Sequence, residues 1–272
     1  MNHIQVTIAS GEEEEQEMYI ALMAAMGYEG FEQEERLLRA FIPEEQFDKG
    51  MLASLLEPLG ARFETERIQE RNWNEEWEKN FQPVVVADFC AIRAHFHAPV
   101  TGVEHELVIT PKMSFGTGHH ATTFMMIQAM QQLDLRGRRV FDFGTGTGVL
   151  AILAERLGAA SVLATDIDDW SIGNARENVA NNGCSRVQVV KMEEVPEGPF
   201  DIILANINKH VIISQLPSLK QQLNPGGVIL LSGLLDSDFQ DIENETVKEN
   251  ISISVRMTKG SWICLRTEKR LK

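Results

Sequence analysis

From residue 111 onward, strand-like and helix-like segments alternate along the chain, and this alternation constrains the fold more than any other feature. Such alternation builds a mostly parallel, doubly wound α/β sheet, here of the Rossmann-like kind. Only Lys259 and Gly260 separate the last two strands, so those two must form an antiparallel hairpin. The predicted helices are 120–133, 149–157, 169–182, 209–223 and 236–248, and the predicted strands are 138–143, 161–166, 187–191, 200–205, 227–232, 251–258 and 261–267.

A glycine-rich segment, DFGTGTG, lies between the first of these strands and the helix that follows it. Glycines at 144, 146 and 148 allow a tight turn and a close approach of the backbone to a ligand. The spacing GxGxG differs from the GxGxxG fingerprint that places a pyrophosphate at a helix N-terminus. Asp142, beside the turn, would repel a pyrophosphate and suits an ammonium group such as that of a methionine moiety. We therefore predict a ligand site here, with a plain tight turn as the alternative.

Polar side chains end two further strands of this region. Asp166 ends the run SVLATD, 22 residues after Gly144, where a carboxylate accepts hydrogen bonds from a ribose diol. Asn206 ends the run DIILAN, and ligands of open α/β sheets bind beyond the carboxyl ends of the strands. An amide oxygen there can accept a hydrogen bond from a nitrogen nucleophile. Each residue could instead cap a helix, a role that suits Asp168 and Asn208 better.

A second glycine-rich stretch, FGTGHHATT, spans residues 115–123 and leads into the first helix of the region. The paired His119 and His120 invite a metal interpretation, but a metal needs three or four ligands. No CxxC or HExxH motif accompanies them, so we predict no metal site. A glycine-rich lid over a cofactor fits the segment better.

The first 110 residues lack this regular alternation of strands and helices. The order βαββαβ within residues 1–68 is that of a small ferredoxin-like module. We expect a linker over 69–110, with a polar helix at 70–81 and three strands within 84–110, before the Rossmann-like region 111–272. The elements predicted for the module are strands 3–9, 28–33, 37–42 and 61–68 and helices 12–26 and 44–58.

The charge balance is strongly acidic, at −15 with an isoelectric point of about 4.9. Such a field repels nucleic acid and favours a basic partner, unless it only serves solubility. The three cysteines form no paired motif, which is typical of reduced thiols in the cytoplasm. No run reaches the roughly 18 apolar residues of a membrane helix, and no signal-peptide pattern appears. We expect a cytoplasmic monomer that binds neither membrane nor nucleic acid directly.

Together, these motifs resemble those of the methyltransferase family that modifies large-subunit ribosomal protein eleven. The segment 115–123 is the specific part, whereas the glycine loop, the acidic strand end and Asn206-Ile207 are shared by many class I methyltransferases. The resemblance extends to Trp262 and to the layout of the whole chain. The sequence departs from many relatives at Thr145, where Cys is frequent, and at Asn208, where Leu is common.

The resemblance implies an enzyme that moves methyl groups from S-adenosylmethionine to lysine or N-terminal amines of that basic ribosomal protein. It implies that the first module recognises the substrate, and that Asn206 is the catalytic residue. The residues expected to bind the cofactor are Phe115, Gly116, Thr117, Thr123, Asp142, Gly144, Gly146, Asp166, Ile167 and Asn206.

Other functions remain open at this point. A class I methyltransferase of small molecules or of other proteins would share most of the motifs. A release-factor glutamine methyltransferase would show Asn-Pro-Pro-aromatic after the fourth strand, where this chain has Asn-Ile-Asn-Lys. A nucleotide-dependent dehydrogenase would need GxGxxG and usually a catalytic tyrosine, but both tyrosines precede residue 111. A cofactor-binding module without activity is the third possibility.

Overall fold

The computed structural model describes residues 3–9, 13–34, 36–68, 82–110 and 116–269. The chain divides into two compact units, Met1–Phe81 and Gln82–Lys272. Each has a hydrophobic core of its own. Within the described residues, no helix is long and apolar enough to cross a membrane. The predicted polar helix at 70–81 lies outside the described residues.

Among its described residues, the first unit is a four-stranded antiparallel sheet with two α-helices, in the predicted order βαββαβ. The strands lie in the order β2-β3-β1-β4. The elements are β1 (His3–Ala9), α1 (Glu13–Ala24), β2 (Gly30–Glu34), β3 (Leu37–Pro43), α2 (Lys49–Leu56) and β4 (Phe63–Ile68).

The helix predicted over 44–58 is shorter in the structure. Asp48 interrupts it, because its carboxylate accepts hydrogen bonds from Gly50 N at 2.8 Å and Met51 N at 3.0 Å. This N-cap starts α2 at Lys49. Separate turns of 3-10 helix flank α2 at Glu44–Gln46 and Glu57–Leu59.

The second unit holds two sheets and five helices among the residues that the structure describes. β5 and β6 are antiparallel, β6 and β7 parallel, and together they form a small three-stranded sheet. The elements of this unit are β5 (Val84–Val86), β6 (Cys90–Arg93), β7 (His105–Val108), α3 (Ala121–Gln131), β8 (Arg139–Phe143), α4 (Val149–Arg156), β9 (Ser161–Asp166), α5 (Asp169–Asn181), β10 (Val187–Lys191), β11 (Phe200–Asn206), α6 (Lys209–Gln221), β12 (Leu223–Leu235), α7 (Phe239–Lys248), β13 (Ile251–Lys259) and β14 (Trp262–Lys269).

The large sheet has seven strands in the order β10-β9-β8-β11-β12-β14-β13. Neighbouring strands from β10 to β12 are parallel, and β14 runs antiparallel to both β12 and β13. This arrangement confirms the predicted alternation and the terminal hairpin.

The strand order reverses direction between β8 and β11. From β8 the chain builds outward through β9 to β10, and β11 then starts the opposite half of the sheet. Helices that follow two adjacent strands in opposite directions leave a crevice beyond the strand ends, where open α/β sheets bind ligands. The motifs predicted to bind a ligand end β8, β9 and β11, so the topology brings them to this crevice.

Candidate active site

A cavity of about 460 Å³ opens at this crevice. Its size falls within the range of about 300–1,000 Å³ that is usual for small-molecule sites. Residues at the ends of β8, β9, β11 and β12 meet there with Trp262 of the last strand. The lining residues are His120, Phe143, Gly144, Gly146, Asp166, Ile167, Ser171, Met192, Asn206, Ile207, Asn208, Val211, Gly233 and Trp262.

The glycine loop after β8 needs its glycines for space as well as for conformation. Gly144 has a φ of 75°, and a Cβ added there would lie 2.3 Å from Ile207 Cγ2. The amides of Gly144 and Thr145 both donate to Thr165 O at 2.9 Å, which fixes the turn against β9. The loop therefore presents bare backbone to the cavity, as the sequence predicted.

Asp166 stands at the end of β9 and faces the cavity. Its carboxylate accepts hydrogen bonds from Gly146 N at 2.9 Å and from Asp168 N at 3.1 Å. Two carboxylate oxygens offer about four acceptor positions, so capacity remains for a hydroxyl ligand. Asp168 caps α5 by accepting from Ser171 N at 2.9 Å, which confirms its predicted role.

Asn206 lies at the end of β11 with its amide held in one orientation. Its Nδ2 donates to Thr123 Oγ1 of α3 at 3.3 Å. Its Oδ1 is buried and has no hydrogen-bond partner among the described residues. An unsatisfied buried acceptor costs about 1–3 kcal/mol, so this oxygen needs a donor from a water or a ligand in the cavity. Asn208 instead caps α6 through Val211 N at 3.1 Å, as predicted.

Asp142 is fully buried beneath the glycine loop rather than in the wall of the cavity. Its Oδ2 accepts a hydrogen bond from Thr145 Oγ1 at 2.6 Å. Burial raises the pKa of the Asp142 carboxyl to about 7, and the negative charge of Asp166 adds to this effect. Only the Thr145 hydroxyl and a backbone contact from Ala151 act in the opposite direction. Asp142 therefore acts on a ligand in the cavity through its charge or through the loop, and not by direct contact.

The two histidines of the second glycine-rich stretch lead to different neighbours. His120 caps α3, with Nδ1 2.8 Å from Thr122 Oγ1, and its ring meets that of Trp262 edge-on at 4.5 Å. His119 has Nε2 2.9 Å from Gln82 O and Nδ1 3.2 Å from Thr117 Oγ1. In the described ranges, no three His, Cys, Asp or Glu side chains gather as potential metal ligands.

Apart from Asp142, which lies beneath the loop, the predicted cofactor residues fall into three groups. Gly144, Gly146, Asp166, Ile167 and Asn206 line the cavity together. Thr123 does not line the cavity but accepts a hydrogen bond from Asn206, which does. Gly116 contacts the glycine loop, because the carbonyl of Gly116 accepts a hydrogen bond from Thr147 Oγ1 at 2.7 Å. Thr117 contacts His119 instead, and Phe115 lies outside the described residues.

Sequence reasoning missed two features of the site. Gly233 interrupts β12 with a φ of 81°, and a Cβ there would lie 2.2 Å from Ile207 O. A glycine inside the apolar run LLSGLL is a signal of such a close approach. The second is a buried set of asparagines on α5, at positions 174, 178 and 182. Their spacing of four residues on a helix would have revealed a single polar face.

The reversed last strand of the seven-stranded sheet, the GxGxG loop and the acidic end of β9 define a class I methyltransferase that uses S-adenosylmethionine. Comparison with known proteins then identifies the family. The family model of the ribosomal protein L11 methyltransferase (PrmA) matches residues 2–270. The chain belongs to this family.

Individual relatives agree with this assignment. A ribosomal protein L11 methyltransferase of Porphyromonas gingivalis is 40% identical over 257 residues, covering 90% of this chain and 88% of the relative. A ribosomal protein L11 methyltransferase of Phocaeicola vulgatus is 35% identical over 277 residues, covering 98% of this chain and 99% of the relative. The crystal structure of an L11 methylase from Lactobacillus delbrueckii subsp. bulgaricus matches with a TM-score of 0.66 and 31% identity, covering 70% of this chain and 100% of that one.

Proposed function

We propose that this methyltransferase acts on amines of large-subunit ribosomal protein L11, at lysine side chains, the N-terminus or both. The relatives named above carry that substrate in their names. The observation that carries the proposal is the buried Oδ1 of Asn206, an acceptor without a described partner at the cavity wall. An amine supplies the N–H donor that this oxygen lacks.

The residues around the cavity fit S-adenosylmethionine. The bare backbone of Gly144 and Gly146 would lie along its methionine half, and Asp166 would accept hydrogen bonds from its ribose hydroxyls. Ile167 is 64% exposed at the rim, an apolar surface that suits an adenine ring. Asp142, beneath the loop, would balance the positive charge of the ligand. When bound, this cofactor supplies a methyl group that the sulfonium already makes electrophilic.

The protein's part in the reaction is mainly to position the amine. A lysine or N-terminal ammonium must lose a proton before its nitrogen can attack. Asn206 Oδ1 then accepts a hydrogen bond from a remaining N–H, which aims the nitrogen lone pair along the line of transfer. Thr123 keeps Oδ1 turned toward the cavity by holding Nδ2. Water carries the proton away, and no residue is assigned as the general base.

The first unit supplies substrate recognition in this proposal. Its βαββαβ order and antiparallel arrangement β2-β3-β1-β4 support a ferredoxin-like domain over residues 1–68. Residues 69–110 would then connect it to the methyltransferase domain 111–272. The acidic surplus of the first unit suits a basic ribosomal protein. We place the reaction in the cytoplasm, where ribosomal proteins are made, and assign it to a monomer.

The test is transfer of tritiated methyl groups from S-adenosylmethionine to purified ribosomal proteins, followed by intact-mass analysis. The expected result is one labelled protein, L11, whose mass rises by multiples of one methyl group. A mixture lacking L11 serves as the control. Calorimetric binding of S-adenosylmethionine with no labelled protein would contradict the substrate and favour a small molecule or another protein.

A further inference from the structure

Three buried asparagines form a column along α5 and its C-terminal cap. Asn174, Asn178 and Asn182 follow one another at intervals of four residues, and none is more than 6% exposed. Asn178 Nδ2 donates to Asn174 Oδ1 at 3.2 Å, and Asn182 Nδ2 donates to Asn178 O at 2.8 Å. Most buried amides have partners, and those of Asn178 and Asn182 point to specific neighbours, whereas Asn174 Nδ2 has none among the described residues.

Two of these side chains pair with the end of β7 as a neighbouring strand would. Asn182 accepts from Val108 N at 2.9 Å and donates to Val108 O at 2.7 Å. Asn178 accepts from Thr110 N at 2.8 Å. The residue between them, Ile109, donates to Arg93 O at the opposite edge. Alternate residues of a strand expose their polar groups on the same edge, so the asparagines satisfy the edge that β6 leaves open.

Asn178 differs from Asn182 because it also reaches the cofactor loop. Its Nδ2 donates to Thr147 O at 2.8 Å. The hydroxyl of Thr147 in turn donates to Gly116 O at 2.7 Å. Thr110 and Gly116, which flank residues 111–115, are therefore both tied to Thr147, one through Asn178 and one directly.

The hydrogen bond between Thr147 and Gly116 connects the glycine loop to Asn206. Gly116 approaches Thr147 so closely that an added Cβ would lie 2.8 Å from Thr147 Oγ1. From Gly116 the chain enters α3, which carries Thr123, and Thr123 holds Asn206. A shift of Thr147 thus affects the glycine loop and, through α3, the orientation of Asn206.

We propose that Asn178 and Thr147 are positioning residues, which hold the cofactor loop in register with the segment that carries Thr123. Asn182 stabilises the contact between α5 and β7 but makes no hydrogen bond to the cofactor loop. The inference rests on the cofactor site described under the proposed function.

The test compares two isosteric variants one helical turn apart. Asn178→Asp keeps the acceptor for Thr110 N and loses the donor to Thr147 O and Asn174 Oδ1. Asn182→Asp keeps the acceptor for Val108 N and loses the donor to Val108 O and Asn178 O, neither of which belongs to the cofactor loop. Both buried charges lower Tm. We expect Asn178→Asp to raise the calorimetric Kd of S-adenosylhomocysteine about tenfold, and Asn182→Asp to change it less than about threefold.

Equal weakening in both variants, or no weakening in Asn178→Asp, would overturn the inference. The wild-type protein separates this result from a failure of the proposed function, because a wild type that binds no S-adenosylhomocysteine refutes the cofactor site itself.

A second pair covers the case in which Asn178→Asp does not fold. Thr147→Val removes only the hydroxyl that donates to Gly116 O, and Thr147→Ser keeps it. We expect faster amide hydrogen exchange over residues 116–123 in the cofactor-free Thr147→Val protein and a higher Kd. The Ser variant should restore both to near wild type. Wild-type exchange and Kd in Thr147→Val would refute the role of Thr147.

Discussion

The two compact units bury their sheets in different ways. In the first unit β1 alternates between half-buried and buried residues, which is typical of an antiparallel sheet with one covered face. In the second unit β11 is buried at four consecutive positions, Ile202–Ala205, as in a parallel sheet covered on both faces. Parallel strands gather their carboxyl ends at one edge. The strand ends that line the cavity therefore all lie in the second unit, whereas β1 of the first unit keeps alternate residues only half buried.

Charge divides the chain in the same place. Residues 1–81 hold 19 acidic and 7 basic side chains, a net charge of −12, whereas residues 82–272 hold 21 and 18, a net charge of −3. The acidity of the whole protein is therefore mostly a property of the first unit. If the units share the work as proposed, changes in the first should affect substrate capture, and changes in the second should affect the cofactor or the methyl transfer.

Removing residues 1–68 should have the largest effect. We expect methylation of the ribosomal protein to fall about 1,000-fold or more, because binding energy from remote contacts contributes to kcat/KM. The Kd of S-adenosylhomocysteine should stay within about threefold of wild type, since every residue lining the cavity lies after residue 81. Calorimetry on the truncated enzyme is the folding control. Undiminished turnover would refute the proposal that the first unit recognises the substrate.

Asn206→Ala comes next. We expect kcat to fall about 100-fold or more, comparable to the loss of one polar group from an oxyanion site, with little change in cofactor Kd. Asn224→Ala is the matched control, because it removes an amide that bonds Asp201 at the opposite end of the same strand pair. Single-turnover kinetics and calorimetry separate the two quantities. Parallel losses of kcat and cofactor affinity would refute the role assigned to Asn206.

Asp142→Asn should stabilise the folded protein at high pH but weaken the binding of S-adenosylmethionine. The folded-state pKa of about 7 exceeds the ordinary value of 3.8, so the folded protein holds this proton more tightly than the unfolded chain. The carboxyl therefore costs increasing stability as pH rises from about 4 to 7, and the cost then levels off. Asp142→Asn should raise Tm at pH 8 and lose most of that advantage by pH 4.

The same variant should bind S-adenosylmethionine about tenfold more weakly at pH 8, because the ligand loses a balancing negative charge. Thermal melts at both pH values and calorimetry provide the measurements. A Tm gain that does not depend on pH would contradict the titration, and unchanged affinity would remove Asp142 from the cofactor site.

Neutralising exposed acids should give the smallest effect. Glu64→Gln with Glu66→Gln on β4 should raise KM for the ribosomal protein about threefold at low salt, and the difference should vanish at high salt. Glu193→Gln with Glu194→Gln makes the same charge change in the second unit. An equal KM increase from that control pair would attribute recognition to net charge rather than to the first unit.

The periodicity of the sequence predicted most of the elements. β9 is predicted at 161–166 and lies at Ser161–Asp166, because a short apolar run of this length is typical of a strand of a parallel sheet. The sequence also predicted the hairpin of β13 and β14, but the insertion of β14 beside β12 depends on packing of the whole sheet.

The site was predicted less completely. Glycine and strand-end patterns located Gly144, Asp166 and Asn206, since each stands at a boundary that the chain itself marks. The orientation of Asn206 depends on Thr123, 83 residues earlier, and no local pattern reports such a contact. Asp142 looked like a ligand contact because its burial depends on how the loop folds over it.

The position of β14 also affects how the enzyme is made. A ribosome adds residues 262–269 after every other strand that the structure describes, yet these residues take an interior place between β12 and β13. Until they emerge, β12 has an open edge and the cleft lacks Trp262. The nascent chain can complete its first unit early, because domains fold as units from the N-terminus during synthesis. The second unit can therefore complete its cavity only when almost the whole described chain has left the exit tunnel.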